Sequence, residues 1–184
     1  MSDQPERLCE QAQAGNGAAA SQLVNLFYER VFAYFRRLCG NQQDAEDLTQ
    51  KTFCKVWSSL PSFRGRSSVS TWIHGIGYHV YVDWLRQRVE AERLSDDWWA
   101  NCAAPGPGPF DSAADAEMSG RLYALVEQLA EGSRQAVHLH YYQGLSLKET
   151  AEVMDIATST VKYRLREALE FLRTQLSETK LRTN

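Results

Sequence analysis

The sequence predicts an all-α protein built as two small helical domains joined by a flexible linker, the second carrying a helix-turn-helix. Three observations predict it. Apolar residues recur at three- and four-residue steps between Gly and Pro breaks, the period of a helix with one buried face. The run Pro105-Gly106-Pro107-Gly108-Pro109 divides the chain where no helix or central strand survives. Beyond it, a short capped helix and a tight turn precede a longer helix with a polar, basic outer side.

The elements follow in order. Residues 5 to 15 read as a short helix started by Pro5 and stopped by Gly15-Asn16-Gly17. From Ala18 to Cys39, Leu23, Leu26, Phe27, Val31, Tyr34, Phe35 and Leu38 form a core-facing pattern, ended by Gly40-Asn41. The next helix opens with Asp44, Glu46 and Asp47, whose charge complements the positive end of the helix dipole. Ala45, Leu48, Thr52, Val56 and Leu60 can turn inward with Phe53 and Trp57 alongside, and Pro61 ends the helix.

The stretch Phe63 to Arg93 is unusual. A basic, small-residue loop leads into a helix expected to reach about Leu94. Val69, Ile73, Ile76, Val80 and Trp84 make an apolar stripe, the expected core side. Trp72, Gly75, His79, Asp83 and Arg86 make a mixed stripe beside it, and His74, Tyr78, Tyr81 and Leu85 a more aromatic third. A central helix could bury these extra aromatics against its neighbours. Aromatic and cationic side chains beside an arginine-rich loop also suit single-stranded nucleic acid, whose bases stack and whose phosphates pair with Arg.

Residues 95 to 114 are read as a linker, in which Trp98 and Trp99 suit docking on a partner or folding back on a domain. Ala116 to Ala130 is expected to form a helix with Met118, Leu122, Leu125, Val126 and Leu129 inward. Another runs from Gly132-Ser133, with Ser133 as cap, through Tyr142 to a stop at Gly144. Ser146 and Glu149 match a capping box at the head of LKETAEVMD. After Ile156-Ala157, the helix STVKYRLREALEFLR buries Val161, Leu165, Ala168, Leu169 and Leu172. Its other side shows Ser159, Thr160, Lys162, Tyr163 and Arg166, the residue types that meet base edges and phosphates in a major groove.

Composition narrows the function. The chain has 184 residues, 43% of them hydrophobic, and a net charge of −3, so nucleic acid must be met by local patches. No apolar run approaches the roughly 20 residues needed to cross a bilayer, and the N-terminus has no signal-peptide core. A cytoplasmic protein without membrane insertion is expected. Cys9, Cys39, Cys54 and Cys102 form no C-x-x-C pair and read as separate thiols. Neither they nor His74, His79, His138 and His140 have ligand spacing, so no metal or cofactor is expected. Gly75-Ile76-Gly77 does not complete a dinucleotide-binding pattern, and no nucleophile motif or carboxylate pair marks an active site. The chain is read as a non-enzyme.

Three stretches together resemble the extracytoplasmic-function (ECF) sigma factors, small members of the sigma-70 family of RNA polymerase initiation factors. They are Asp44 through Phe53, Phe63 through Arg86, and Gly144 through Leu165, and the likeness covers roughly residues 18 to 94 and 115 to 175. The resemblance implies residues 1–94 as the polymerase-binding, −10-reading and promoter-melting domain, 95–114 as the linker, and 115–184 as the −35-reading domain. It places Asp44, Glu46, Asp47, Gln50 and Phe53 on or near the surface that grips the clamp helices of the polymerase β′ subunit. Arg64, Arg66, Ser67, Ser68, Trp72, His79 and Arg86 are the candidates for holding the opened −10 strand with a base flipped out, which costs a few kcal/mol. Ser159, Thr160, Lys162, Tyr163, Arg164 and Arg166 are the candidates for reading the −35 duplex. The implied partners are core RNA polymerase (β′ clamp helices and β subunit), promoter DNA and an anti-sigma protein.

This chain departs from the family pattern at His79, where Asn is common, at Gly75, where a longer residue is common, and at Tyr163, commonly Ser. Two other functions compete. A stand-alone helix-turn-helix regulator would leave Asp44–Phe53 and Phe63–Arg86 without a task, and a thiol or metal sensor would depend on the cysteines.

Overall fold

The computed structural model describes residues 4–94 and 113–182, with side-chain surroundings for 4–90 and 120–177. The chain divides into two units at Ala104/Pro105. The linker reading, with Trp98, Trp99 and Cys102, falls almost entirely outside the described residues. Every described element is helical.

The first unit holds α1 (Gln4–Gln13), α2 (Gly17–Cys39), α3 (Gln42–Ser59), a 3-10 turn (Leu60–Ser62) and α4 (Val69–Leu94). Asn16 caps α2, its side-chain oxygen accepting from Ala19 N at 3.1 Å. Gly40 ends α2 at φ 73°, a left-handed conformation that glycine takes without a Cβ clash. Asn41 caps α3 by accepting from Asp44 N at 2.9 Å and donating to the Asp44 carboxylate at 2.6 Å. Ser68 caps α4, accepting from Thr71 N at 3.1 Å. The core is formed where α2 packs on α1 and α3, and α3 on α4. Leu23, Phe27, Val31, Tyr34, Phe35 and Leu38 of α2 are buried, as are Ala45, Leu48, Thr52 and Val56 of α3. Each large apolar side chain so buried contributes about 1.5–3 kcal/mol. Leu26, expected inside, is 40% exposed.

Along α4 the buried face differs from the expected stripe. Val69, Ile73 and Val80 are buried, but Ile76 and Trp84 are only partly covered, while His74 and Tyr81 are almost wholly inside. Gly77 lies on that buried side, where a Cβ would meet Phe35 at 3.5 Å and Thr52 at 3.7 Å, ordinary contact distances, so α4 turns its His74–Gly77–Tyr81 side toward α2 and α3. His74 is satisfied within the core, its Nδ1–H donating to the Ser70 carbonyl at 2.7 Å, with Phe27 edge-on. For His74 and Tyr81, core packing accounts for the aromatic stripe.

The short helix α1 reaches two distant parts of its unit. Leu8, Cys9 and Ala12 are buried. The Gln13 amide donates to the Leu60 carbonyl at 2.8 Å and to the Phe63 carbonyl at 2.9 Å. Glu6 accepts from Val69 N, the first amide of α4, at 3.3 Å.

The second unit holds α5 (Ala113–Glu127), α6 (Glu131–Val137) running into a π-helical turn (His138–Tyr142), α7 (Leu147–Met154) and α8 (Thr158–Arg182). Ala130 rather than Ser133 stands at the head of α6, and Ser133 is buried within the first turn. Helix α5 ends at Glu127, three residues before the expected Ala130. The capping box at Ser146 and Glu149 is formed in both directions, at 3.2 and 2.9 Å. Asp155 makes the α7–α8 turn at φ 52°. Val126, Ala136, Leu139, Val153, Val161, Leu165 and Ala168 are among the buried core. Leu169, expected inside, is 49% exposed.

Candidate polymerase and nucleic-acid interfaces

Three surfaces carry the sequence-predicted residues, two on the first unit and one on the second. On α3, Glu46, Asp47 and Gln50 are exposed and Asp44 and Phe53 half-buried. Asp44 is committed to the Asn41 cap, and Glu46 accepts from the Gln42 amide at 2.7 Å. Glu46, Gln50, Phe53 and Trp57 repeat at helical steps and, with Val24 and Tyr28 of α2, line an open groove of about 700 Å³. Tyr28 stacks on Phe53 with centroids 6.1 Å apart. Trp57 is 57% exposed. Sequence reasoning placed it alongside the core, although its step of four from Phe53 puts it on the groove stripe. An apolar floor edged by the Glu46 carboxylate and the exposed Trp57 ring is the kind of surface that can receive another helix.

The second surface begins at the loop after the 3-10 turn. Gly65, at φ 65°, turns the backbone between the exposed Arg64 and Arg66. Arg64 Nη1 donates to the Pro61 carbonyl at 3.4 Å. Ser67 and Ser68 are half-buried, and Ser68 is the α4 cap, so its hydroxyl has a structural task. Phe63 stacks on Trp72 with centroids 4.5 Å apart. Trp72 is half-buried, and His79 and Arg86 are exposed. Trp72, Gly75, His79, Asp83 and Arg86 therefore face away from the core, not merely beside it. From Trp72 to Arg86 the stripe spans about 21 Å at 1.5 Å per residue. His79 lies edge-on to Tyr78, with centroids 5.4 Å apart. Asp83 is 3.8 Å from both Lys55 and Arg86, in exposed pairs that contribute little stability.

On the second unit, Ser159, Lys162, Tyr163 and Arg166 share one exposed stripe of α8. The Tyr163 hydroxyl donates to the Glu167 carboxylate at 2.8 Å, and this bond, reinforced by the Glu167 charge, holds the phenol above its usual pKa. Thr160 and Arg164 lie on a different, half-buried stripe. The Arg164 guanidinium rests over Gly132 of α6, where a Cβ would come within 2.8 Å of it. The structure thus separates Thr160 and Arg164 from the other four −35 candidates. Beside the stripe, Tyr141, Leu165 and Leu169 with Lys162, Arg166 and Arg173 line a second groove of about 520 Å³. The exposure of Leu169 belongs to that groove.

Beneath α8, Arg134 bridges Glu127, at 3.1 Å, and Glu131. Burial raises the Glu127 carboxyl, while the charge of Arg134 opposes the rise. Cys9 is buried, Cys39 intermediate and Cys54 exposed. No helix among the described residues is long and apolar enough to cross a membrane.

Comparisons with known proteins find a match within each of the two units. Residues 23–90 match the family described as Sigma-70 region 2, and residues 119–172 that described as Sigma-70, region 4. The ECF RNA polymerase sigma factor SigE of Mycolicibacterium smegmatis is 31% identical over 182 residues, covering 96% of this chain and 70% of that protein. SigW of Bacillus subtilis, also an ECF RNA polymerase sigma factor, is 27% identical over 177 residues, covering 92% and 95%. Among solved structures, CnrH in complex with the cytosolic domain of CnrY is similar with TM-score 0.72 and 25% identity, over 96% of this chain and 99% of that one. The sigma factor RpoE of Bartonella quintana, in complex with the anti-sigma factor NepR, shares the fold with TM-score 0.73 and 24% identity, over 85% and 96%.

Proposed function

The chain belongs to the sigma-70 family as an ECF-type RNA polymerase sigma factor, and from that premise we propose how its surfaces divide the work of initiation. A sigma factor is a transcription initiation factor and not an enzyme: it supplies recognition and strand capture to a polymerase that does the chemistry. The groove edged by Glu46, Gln50, Phe53 and Trp57, with Asp44 and Asp47 on the same helix, receives the clamp helices of the polymerase β′ subunit. The Arg64–Ser68 loop and the outer face of α4 hold the opened −10 strand. Arg64, Arg66 and Arg86 meet its phosphates, and Trp72 and His79 offer rings to unstacked bases. Ser159, Lys162, Tyr163 and Arg166 enter the −35 major groove, with Thr160 and Arg164 at its margin. The protein works in the cytoplasm with its polymerase. An anti-sigma protein holds it inactive by covering the same surfaces; the solved complexes of CnrH with the cytosolic domain of CnrY and of RpoE with the anti-sigma factor NepR support a partner of this kind.

One observation carries the strand-holding assignment. Trp72, His79 and Arg86 lie on the side of α4 opposite its buried residues, whereas a purely structural role would bring the tryptophan inward as it does Tyr81. The test is transcription with purified core polymerase on promoters selected from a genomic library, with permanganate footprinting of the opened strand. The full chain should bind DNA tightly and specifically only with core, and Trp72→Ala should impair opening more than core binding. Tight operator binding without polymerase, or equal loss of core binding and opening in Trp72→Ala, would overturn the reading.

A further inference from the structure

Helix α1 lies outside the residues matched as region 2, yet two of its polar side chains end at the two roots of one loop. Gln13 donates its amide to the carbonyls of Leu60 and Phe63, where the chain leaves α3 and the 3-10 turn. Glu6 accepts from the first amide of α4, where the loop rejoins a helix. Between these anchors lie Arg64, Gly65, Arg66, Ser67 and Ser68. Phe63, whose carbonyl Gln13 holds, is the residue stacked on Trp72. Within the loop Arg64 and Arg66 are exposed and Gly65 sits at positive φ, while Arg64 donates to the Pro61 carbonyl and Ser68 caps α4.

We propose that α1 is a positioning element for strand capture, with Gln13 and Glu6 setting the geometry of the Phe63–Ser68 loop and of the Phe63–Trp72 stack. The inference rests on the strand-holding role given above to this loop. Its physical basis is preorganisation. A flexible loop must be ordered when it binds a strand, and ordering costs free energy at each residue fixed. A loop whose ends are already hydrogen-bonded has less to lose. The bonding chemistry is specific at each end. Gln13 offers two amide hydrogens to two carbonyls, which a carboxylate or thioether cannot do. Glu6 offers an acceptor to an amide left unpaired by helix geometry, beside the Ser68 cap that takes Thr71 N. Neither side chain lines the α3 groove.

The test uses the full chain with core polymerase and compares Gln13→Met, Glu6→Met and Glu6→Gln. Two readouts are taken: affinity for core, and occupancy of a fork promoter whose non-template −10 strand is already single-stranded. Gln13→Met and Glu6→Met should each weaken fork capture by about five- to tenfold, the scale of one or two hydrogen bonds, with core affinity within about twofold. Glu6→Gln keeps an acceptor and should retain most of the wild-type capture. Parallel loss of core affinity and capture, or equal loss in Glu6→Gln and Glu6→Met, would reduce α1 to a general stabiliser and overturn the proposal. Unchanged capture in both methionine variants would also overturn it, provided Trp72→Ala still loses capture. If Trp72→Ala captures normally, the strand-holding assignment fails and the inference falls with it.

Discussion

Gly75 offers a perturbation in which stability and function should move in opposite directions. It sits inside α4 on the stripe between Trp72 and His79, and a Cβ built there meets no atom within 4 Å. Glycine in a helix interior costs about 1 kcal/mol relative to alanine. Gly75→Ala should therefore stabilise the first unit by about 1 kcal/mol, raising its melting midpoint by about 4–8 °C for a domain of this size. If the outer face of α4 holds an opened strand, and holds it closer at Gly75 than relatives with a longer residue there do, the same methyl intrudes on its path. Crowding of this kind costs about 1–3 kcal/mol, so −10 opening should fall by about tenfold. Gly77→Ala is the control. Its Cβ meets Phe35 at an ordinary 3.5 Å on the core side, so it should stabilise the unit without reducing opening. The assays are thermal melts of the full chain and permanganate reactivity of a promoter in complex with core polymerase. An unchanged or lowered midpoint in Gly75→Ala would refute the helix argument. A raised midpoint with undiminished opening would refute that close approach of the strand.

Three further outcomes are expected. Phe53→Ala should weaken core binding by about tenfold, as loss of a central aromatic anchor does; a competition binding assay that finds no change would remove the α3 groove from the polymerase interface. Arg166→Ala should lower initiation at −35-dependent promoters and reduce the salt dependence of binding by about one phosphate contact, and unchanged activity at such a promoter would reject its assignment. Glu127, whose carboxyl is raised by burial, binds its proton more tightly in the folded state than in the unfolded one. Its stabilising contribution is thus complete below the unfolded value of about 4.3 and is lost as pH rises through the folded value. Glu127→Gln should flatten the fall in melting temperature above that point, and a melting series with unaltered slope would contradict it.

Local rules made most elements legible. The caps at Ser146 and the stops at Gly40 and Gly144 depend on a few adjacent residues, and those signals were readable. The stripe Trp72–His79–Arg86 was readable too, because its spacing is that of the helix itself. The packing was less so. Which face of α4 turns inward is set by its neighbours in space, Phe35 beside Gly77 among them, residues 42 apart in sequence. Leu26 and Leu169 fit the apolar period and yet lie outside, because periodicity marks a face without saying whether a neighbour covers it. The helical period left Arg164 off the DNA-facing side and only the family resemblance included it; its guanidinium lies over Gly132. The tethers from Glu6 and Gln13 bridge 63, 47 and 50 positions, beyond the reach of any local pattern.

The Asn16 cap has a consequence for chemical ageing. Asparagine followed by glycine is prone to deamidate, because the unhindered glycine amide can attack the side-chain carbonyl. Here Asn16 precedes Gly17, and its carbonyl oxygen is held by Ala19 N, so the reaction waits on fraying of the first turn of α2. The aspartate product would keep the cap and add a charge that favours the helix N-terminus. The isoaspartate product would lengthen the backbone by one methylene and lose the cap. A stored preparation should therefore split into two populations of equal mass, one as stable as fresh protein and one with a loosened start to α2.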